Sequence, residues 1–111
     1  MTVYVDDFRA AFGRMVMCHM VADDQAELVS MARTIGVDPK WIQHPGTPKV
    51  HFDIALSKRA LAVKAGAVEI EAKSLAAMVR RRHVLGHLGQ PADAIEWLHA
   101  FNAARRAEVA A

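Results

Sequence analysis

The chain has 111 residues, a formal net charge of +2, and 53% hydrophobic and 23% charged side chains. This length suits one compact domain with an appended helix, and the apolar fraction excludes intrinsic disorder as the main state. No stretch of about 18 uncharged apolar residues and no signal-peptide pattern occur, and Cys18 is the single cysteine, so we expect a cytoplasmic protein without a membrane span.

The N-terminal residues predict two strands. Residues 2–5 are β-branched and aromatic and lead into Asp6 and Asp7, as a short buried strand leads into a turn. Residues 15–22 are almost continuously apolar, which is typical of a central strand. The mixed segment 9–14 between them is predicted to be a loop.

A helix and a proline-rich loop are predicted next. Asp24 followed by Glu27 is a helix-start pattern, in which the Asp24 side chain accepts a hydrogen bond from the Glu27 amide. Gly36 is expected to end this helix, and a short helical turn follows through Trp41. Residues 43–50 contain two prolines and one glycine and predict the clearest loop of the chain.

The second half of the chain alternates between strands and helices. Residues 50–56 predict a short strand or extended segment, and Ser57 is expected to cap a helix that ends at Gly66. Residues 67–70 predict another strand. The order of elements therefore predicts an α/β fold: a small three- or four-stranded sheet with flanking helices and a C-terminal helical extension.

Two alanine-rich helices are predicted at the C-terminal end, over residues 74–82 and 91–106. Trp97 and Phe101 lie one turn apart in the second helix, so this stripe is expected to dock on the domain core or on a second copy of the chain, which would make a homo-oligomer. The chain is thus predicted to divide into an α/β module, residues 1–85, and a helical extension, residues 86–111.

The excess of positive charge lies in residues 71–111, and most of it belongs to Arg80, Arg81 and Arg82. A solvated helix end and a phosphate-contacting patch are both open interpretations of this cluster. No aromatic residue interleaves with the arginines, so base stacking is not indicated and a nucleic-acid partner is only weakly supported.

His51 and Asp53 are the strongest candidates for catalytic residues. Residues two apart on a strand share a face, so the imidazole and the carboxylate are expected to point into one cleft. Such a pair suits a general base or a metal ligand, while a local hydrogen-bonded pair stays an open alternative. His19 interrupts an apolar strand and is either a hydrogen-bonded core histidine or, if it lies beside His51, part of a two-histidine site.

Other polar residues are expected to bind a ligand near these histidines. Lys58 and Arg59 lie at a predicted helix start, where backbone amides and two cations can hold an anion. Asp6 and Gln43, at a strand end and in the proline-rich loop, are expected to bind as well, because α/β sheets bind ligands at the ends of strands.

The sequence predicts no metal site and indicates no particular cofactor. No CxxC or HExxH motif occurs, and a site made from His19, His44, His51 and Asp53 would have to be assembled from three segments. Cys18 is expected to be a buried structural thiol rather than a nucleophile, because it and its neighbour His19 would face opposite sides of a strand.

Several blocks of the sequence resemble a bacterial and phage family. They are YVDD at residues 4–7, FGRMVMCHMVAD at 12–23, Glu27 with Leu28, and WIQHPGTPKVHFDIALSKRALAVKAGAVEI at 41–70. Over roughly residues 2–82 the chain resembles the family catalogued as domain of unknown function 4031. The polar positions of the family correspond here to Asp6, Arg14, His19, Asp23, Gln43, His51, Asp53 and Arg59. The resemblance thus adds Arg14 to the expected binding residues, and it implies no reaction, cofactor or partner.

Two functions from different classes fit these residues, so whether the protein is an enzyme stays open. The first is a small enzyme, such as a hydrolase, acting on a phosphorylated or nucleotide-like substrate. In that hypothesis His51 is a general base oriented by Asp53, and His19 is a second acid–base or binding residue. Lys58 and Arg59 hold the anionic group. The second is a non-catalytic module that binds an anionic small molecule, a nucleic acid or a protein partner.

Overall fold

The computed structural model describes residues 2–110, which form five strands and four α-helices. The strands are β1 (Val3–Val5), β2 (Ala10–Phe12), β3 (Met15–Ala22), β4 (Phe52–Ala55) and β5 (Val68–Glu69). The helices are α1 (Gln25–Thr34), α2 (Leu56–Lys64), α3 (Ala72–Leu85) and α4 (Ala94–Ala110). Short 3₁₀ turns cover Pro39–Trp41 and Pro91–Asp93. The predicted α/β class is confirmed, and the sheet has one strand more than the largest number predicted.

Strand β3 lies at the centre of a mixed sheet. It pairs in antiparallel fashion with β4 along one edge, and with β1 and β2 in succession along the other. Strand β5 then pairs with β1 in parallel. The register passes from Val5 opposite Met20 to Ala10 opposite Met17, so residues 6–9 form a bulge against β3.

Strand β2 corrects the prediction of a loop over residues 9–14. The segment folds back on β3 as a hairpin whose turn contains Gly13, with a positive φ of 60°. The strand was missed because its side chains are largely exposed and show no alternation between apolar and polar residues. A second correction concerns Ser57: α2 already begins at Leu56, because β4 runs directly into it, and Ala55 occupies the capping position without a side-chain hydrogen bond.

The two faces of the sheet bury different sets of side chains. On one face, residues of β1, β3 and β4 such as Cys18 and Met20 pack with α1 and α2. On the other face, Tyr4 and Val21 pack with α3 and α4. His19 belongs to this second face, since it alternates with Cys18 and Met20 along β3. The helices cover the part around Tyr4 and Val21 and leave the His19 side chain 33% exposed. The candidate site lies on this uncovered part of the sheet.

Two of the three clustered arginines differ from both interpretations drawn from the sequence. Arg81 and Arg82 are only 5% and 8% exposed, so they form neither a solvated helix end nor a free phosphate-binding patch. The Arg82 guanidinium donates to the carbonyl oxygens of Ala22, Pro48 and Val50 at 2.7, 2.9 and 3.1 Å. A single buried cation therefore holds the end of β3 against the end of the proline-rich loop.

Helix α4 packs against α3, which agrees with the first of the two alternatives drawn from its aromatic stripe, docking on the domain core. Ile95 and Leu98 contact the core cluster around Val21, while the rings of Trp97 and Phe101 stack at 5.1 Å. The guanidinium of Arg81 lies 5.7 Å above the Trp97 ring. Within residues 2–110, no helix is long and apolar enough to cross a membrane.

Candidate functional site

Strands β3 and β4 bring three ionisable side chains together on the part of the sheet that the helices leave uncovered. His19 and Asp53 are directly opposite each other in the antiparallel pairing, and His51 precedes Asp53 by two positions on the same face. The Asp53 Oδ1 atom lies 3.4 Å from His51 Nε2 and 3.8 Å from His19 Nε2. One ligating atom from each of the three residues lies within 4.8 Å of the others.

The bulge after β1 orients the His19 ring. The bulge contains Asp6, which is 1% exposed and whose Oδ2 lies 2.8 Å from His19 Nδ1. The other carboxylate oxygen accepts the backbone amides of His19 at 2.8 Å and of Phe8 at 3.3 Å. Because a carboxylate so placed acts as an acceptor, the proton of the neutral His19 ring lies on Nδ1. The lone pair is then on Nε2 and faces Asp53.

The His51 ring is fixed in the same tautomer by the main chain. Its Nδ1 lies 2.7 Å from the carbonyl oxygen of Lys49, which can only accept a hydrogen bond. Two backbone hydrogen bonds between Gln43 and His51, of 2.8 and 3.1 Å, hold the residue at the end of the proline-rich loop. The Nε2 lone pair of His51 therefore also faces Asp53.

Three hydrogen-bond acceptors thus converge, and none of them has a hydrogen-bond donor among residues 2–110. They are the two Nε2 lone pairs and an Asp53 carboxylate that is 43% exposed. Acceptors at such distances repel one another unless a cation or a proton lies between them. A histidine whose second ring nitrogen donates to a carboxylate or a carbonyl is the usual arrangement of a metal ligand in proteins. The structure therefore assembles the site that the sequence did not predict, in which three separate side chains could hold a metal ion.

Aromatic rings surround this cluster. The Phe8 ring stacks on the His19 ring at 4.9 Å, and the His44 ring lies 5.9 Å from the His51 ring at an interplanar angle of 29°. Phe8 belongs to the bulge and His44 to the proline-rich loop. These neighbours limit the access of water to the two imidazoles while leaving the Asp53 side open.

One match to a known protein family covers the whole of this site. The model of a family described as "Protein of unknown function (DUF4031)" matches residues 3–82, which include β1 to β5 and most of α3. The chain belongs to the DUF4031 family. This confirms the resemblance noted in the sequence. No match was found among curated proteins or among solved structures.

The DUF4031 segment places the predicted catalytic residues in one cluster, but not the predicted anion-holding residues. The Arg59 guanidinium donates to the Asp6 carbonyl at 2.8 Å and to the Glu69 carboxylate at 2.7 Å. It therefore stabilises the bulge and links it to β5. The Lys58 amine lies against Gly36 at the end of α1. Neither cation makes a hydrogen bond or ion pair with His19, His51 or Asp53 within residues 2–110.

The remaining predicted binding residues have different surroundings. Asp6 contacts His19 directly, and Gln43 contributes through its backbone bonds to His51. Arg14 is exposed in the turn between β2 and β3. Phe8 was not predicted as a site residue, because its contact with His19 depends on a bulge that no local sequence pattern predicts. His44 is an exposed residue of the proline-rich loop, and its ring stacks on the His51 ring.

Cys18 lies on the opposite face of β3 from His19 and is 1% exposed. Burial raises the pKa of its thiol to about 11, with a further contribution from the negative charge of Asp6. The thiol is therefore neutral at physiological pH and is a poor nucleophile.

Proposed function

We propose that this protein is a metal-dependent hydrolase, in which His19 Nε2, His51 Nε2 and the Asp53 carboxylate hold one divalent transition-metal ion such as zinc. The observation that carries the proposal is the convergence of three acceptor atoms within 4.8 Å. The proposal is reinforced by the hydrogen-bond acceptors that face the two Nδ1 atoms, the Asp6 carboxylate for His19 and the Lys49 carbonyl for His51.

The position of Asp53 favours metal binding over a general-base role for His51. A carboxylate that orients a catalytic histidine accepts the N–H on the far side of the ring from the reacting nitrogen. Here Asp53 faces Nε2, while the N–H of His51 lies on Nδ1 and donates to the Lys49 carbonyl. The Nε2 lone pair of His51 and the Asp53 carboxylate therefore repel each other unless a cation or a proton lies between them.

The composition of the ligand set indicates which ions the site would take. Two imidazoles and one carboxylate suit zinc and iron(II), whereas magnesium and calcium favour sets made of oxygen atoms alone. Three protein ligands leave the fourth position of a tetrahedral zinc ion free for water, which is the pattern of catalytic rather than structural zinc sites. A bound zinc ion would lower the pKa of that water to about 7 and so supply a hydroxide nucleophile for the hydrolysis of an ester or phosphoester.

The proposal is tested by calorimetric titration of chelator-stripped protein with zinc. We expect one zinc ion per chain for the wild type, and affinity lower by about 100-fold or more for His51→Ala and for Asp53→Ala, beyond the loss that an outer hydrogen-bonding partner causes. His99→Ala is the matched control, because His99 is exposed on α4 outside the cluster. Wild-type protein that takes up no zinc, or variants that bind it equally well, would refute the metal site.

Hydrolysis is tested separately with a panel of 4-nitrophenyl esters and phosphoesters. Turnover should stop on addition of a chelator, return with zinc, and be lost in His51→Ala and Asp53→Ala. Zinc binding without turnover of any ester in the panel would favour the non-catalytic binding module.

A second candidate function rests on Asp6. Its carboxylate accepts the Nδ1 proton of His19 at 2.8 Å, which leaves Nε2 free to act as a general base without any metal ion. In that case turnover would resist the chelator, would be lost in His19→Ala, and would persist in His51→Ala.

A further inference from the structure

A cleft adjoins the cluster of His19, His51 and Asp53, in the direction of α3. The cleft, of about 310 Å³, opens between the proline-rich loop and the helix, and its walls include both histidines of the cluster. The residues that matter for its chemistry are His19, His44, Lys49, His51, Leu75 and Val79. A ligand that fills this cleft would therefore lie beside the two imidazoles that we assign to the metal.

The walls of the cleft differ in character. Leu75 and Val79 lie on α3 and form an apolar side together with Val21 of β3. Lys49 and His44 lie on the loop and form a side that carries positive charge and hydrogen-bond donors. No Asp or Glu lines this cleft in the part of the chain that the structure describes. A negatively charged group is therefore favoured on the loop side, and an apolar group on the helix side.

The loop holds His44, which lines the cleft, in a backbone conformation that residues other than glycine rarely adopt. Its φ is +52°, and His44 is the single non-glycine residue with positive φ in residues 2–110. Thr47 fixes this geometry, because its hydroxyl and its amide both donate to the His44 carbonyl, at 2.8 and 3.3 Å. The Gly46 amide donates to Gln25 on α1 at 2.7 Å, which ties the loop to the body of the protein. Strained residues that are held in this way cluster at sites of function.

We infer that the substrate is a small organic anion with an apolar body, such as an aryl phosphate, and this inference rests on the proposed hydrolase function. Its anionic group lies between Lys49 and the metal-binding histidines, and its apolar body lies against Leu75 and Val79. The cleft volume of about 310 Å³ is near the lower limit for ligand sites, so the cleft fits a single ring with its anionic group rather than a dinucleotide.

Titrations monitored by methyl NMR test this inference with phenylphosphonate, an aryl phosphate analogue that is not hydrolysed. We expect phenylphosphonate to shift the methyl resonances of Leu75 and Val79, and neutral benzyl alcohol to bind at least about tenfold more weakly. Lys49→Ala should weaken phenylphosphonate binding about tenfold, and Lys49→Arg should retain it. Lys64→Ala is the control, because Lys64 ends α2 on the opposite face of the sheet.

The titrations are run with both zinc-loaded and chelator-stripped protein, so that the two proposals can fail separately. Phenylphosphonate binding that leaves the methyl resonances of Leu75 and Val79 unshifted, or that is unaffected by Lys49→Ala, overturns the inference even if zinc binds. Binding that depends on Lys49 in a protein that takes up no zinc supports the anion cleft and overturns the metal-dependent function.

Discussion

Replacing Asp6 by asparagine is expected to weaken zinc binding about 10- to 100-fold while leaving the fold intact. The asparagine side chain would keep an oxygen for the backbone amides of His19 and Phe8, which Asp6 now accepts at 2.8 and 3.3 Å. Its NH₂ group would then face His19 Nδ1, where the carboxylate now accepts at 2.8 Å. A donor cannot face the Nδ1 proton, so the His19 ring changes tautomer and its Nε2 becomes protonated.

The magnitude follows from what the tautomer change removes. The wild-type ring presents a lone pair to the metal at no cost, whereas the variant must return its proton to Nδ1, against the asparagine NH₂, before it can bind. A 10- to 100-fold loss corresponds to about 1.4 to 2.7 kcal/mol, which is the range for a hydrogen-bonding partner behind a metal ligand. Folding loses less, because the backbone bonds of residue 6, including the 2.8 Å bond from Arg59 to its carbonyl, do not depend on the carboxylate.

Two measurements check this prediction. Calorimetry gives the zinc affinity, and nitrogen-15 NMR of the imidazoles reports the His19 tautomer, which a merely structural role of Asp6 would not change. Asp7→Asn is the matched control: Asp7 accepts the Ala72 amide at the start of α3 at 2.8 Å, and asparagine caps helices equally well. Wild-type zinc affinity in Asp6→Asn, or an unchanged tautomer, would refute the reasoning about the site.

Three further predictions concern stability and reactivity. Arg82→Met should destabilise the fold by about 3 kcal/mol in urea denaturation, because the carbonyl oxygens of Ala22 and Val50 lose a buried charged donor, while Arg106→Met on the exposed end of α4 should be neutral. An unchanged midpoint for Arg82→Met would contradict the assigned role of this cation. Cys18 should resist iodoacetamide at pH 8 in the native protein and react in urea, because burial raises the pKa of its thiol to about 11. Since the unfolded thiol ionises near pH 9, the stabilisation that comes from burying the neutral Cys18 thiol is present below pH 9 and is lost as the pH rises toward 11. The free energy of unfolding of Cys18→Ala should therefore decline less over this pH range.

Local patterns in the sequence predicted much of the fold. The helix-start pattern of Asp24 and Glu27 corresponds to a 2.7 Å hydrogen bond at the beginning of α1, and the apolar run predicts β3 within its observed bounds. Strand β2 was not predictable in the same way, because its identity depends on pairing with β3 rather than on its own residues. The burial of Arg82 was also beyond local reasoning, since its three acceptors come from distant segments.

The candidate site shows the same division. The shared face of His51 and Asp53 follows from the alternation of a strand, and sequence reasoning found it. The addition of His19 depends on the register between β3 and β4, and that of Asp6 depends on a bulge; neither can be read from residues close in the chain. Lys58 and Arg59 are close to His51 in sequence but are directed elsewhere by α2.

The division of the cluster between two strands has a consequence for folding. His19 belongs to β3, whereas His51 lies directly before β4 and Asp53 lies within it, more than 30 positions later in the chain. The three atoms come together only when the strands pair, so the unfolded chain would bind an ion far more weakly. A free ion present at 100 times its Kd would then add about 2.7 kcal/mol to the stability of the folded state by mass action. The melting temperature of the protein would thus rise with the concentration of free ion in the medium, because formation of the sheet and binding of the ion are coupled.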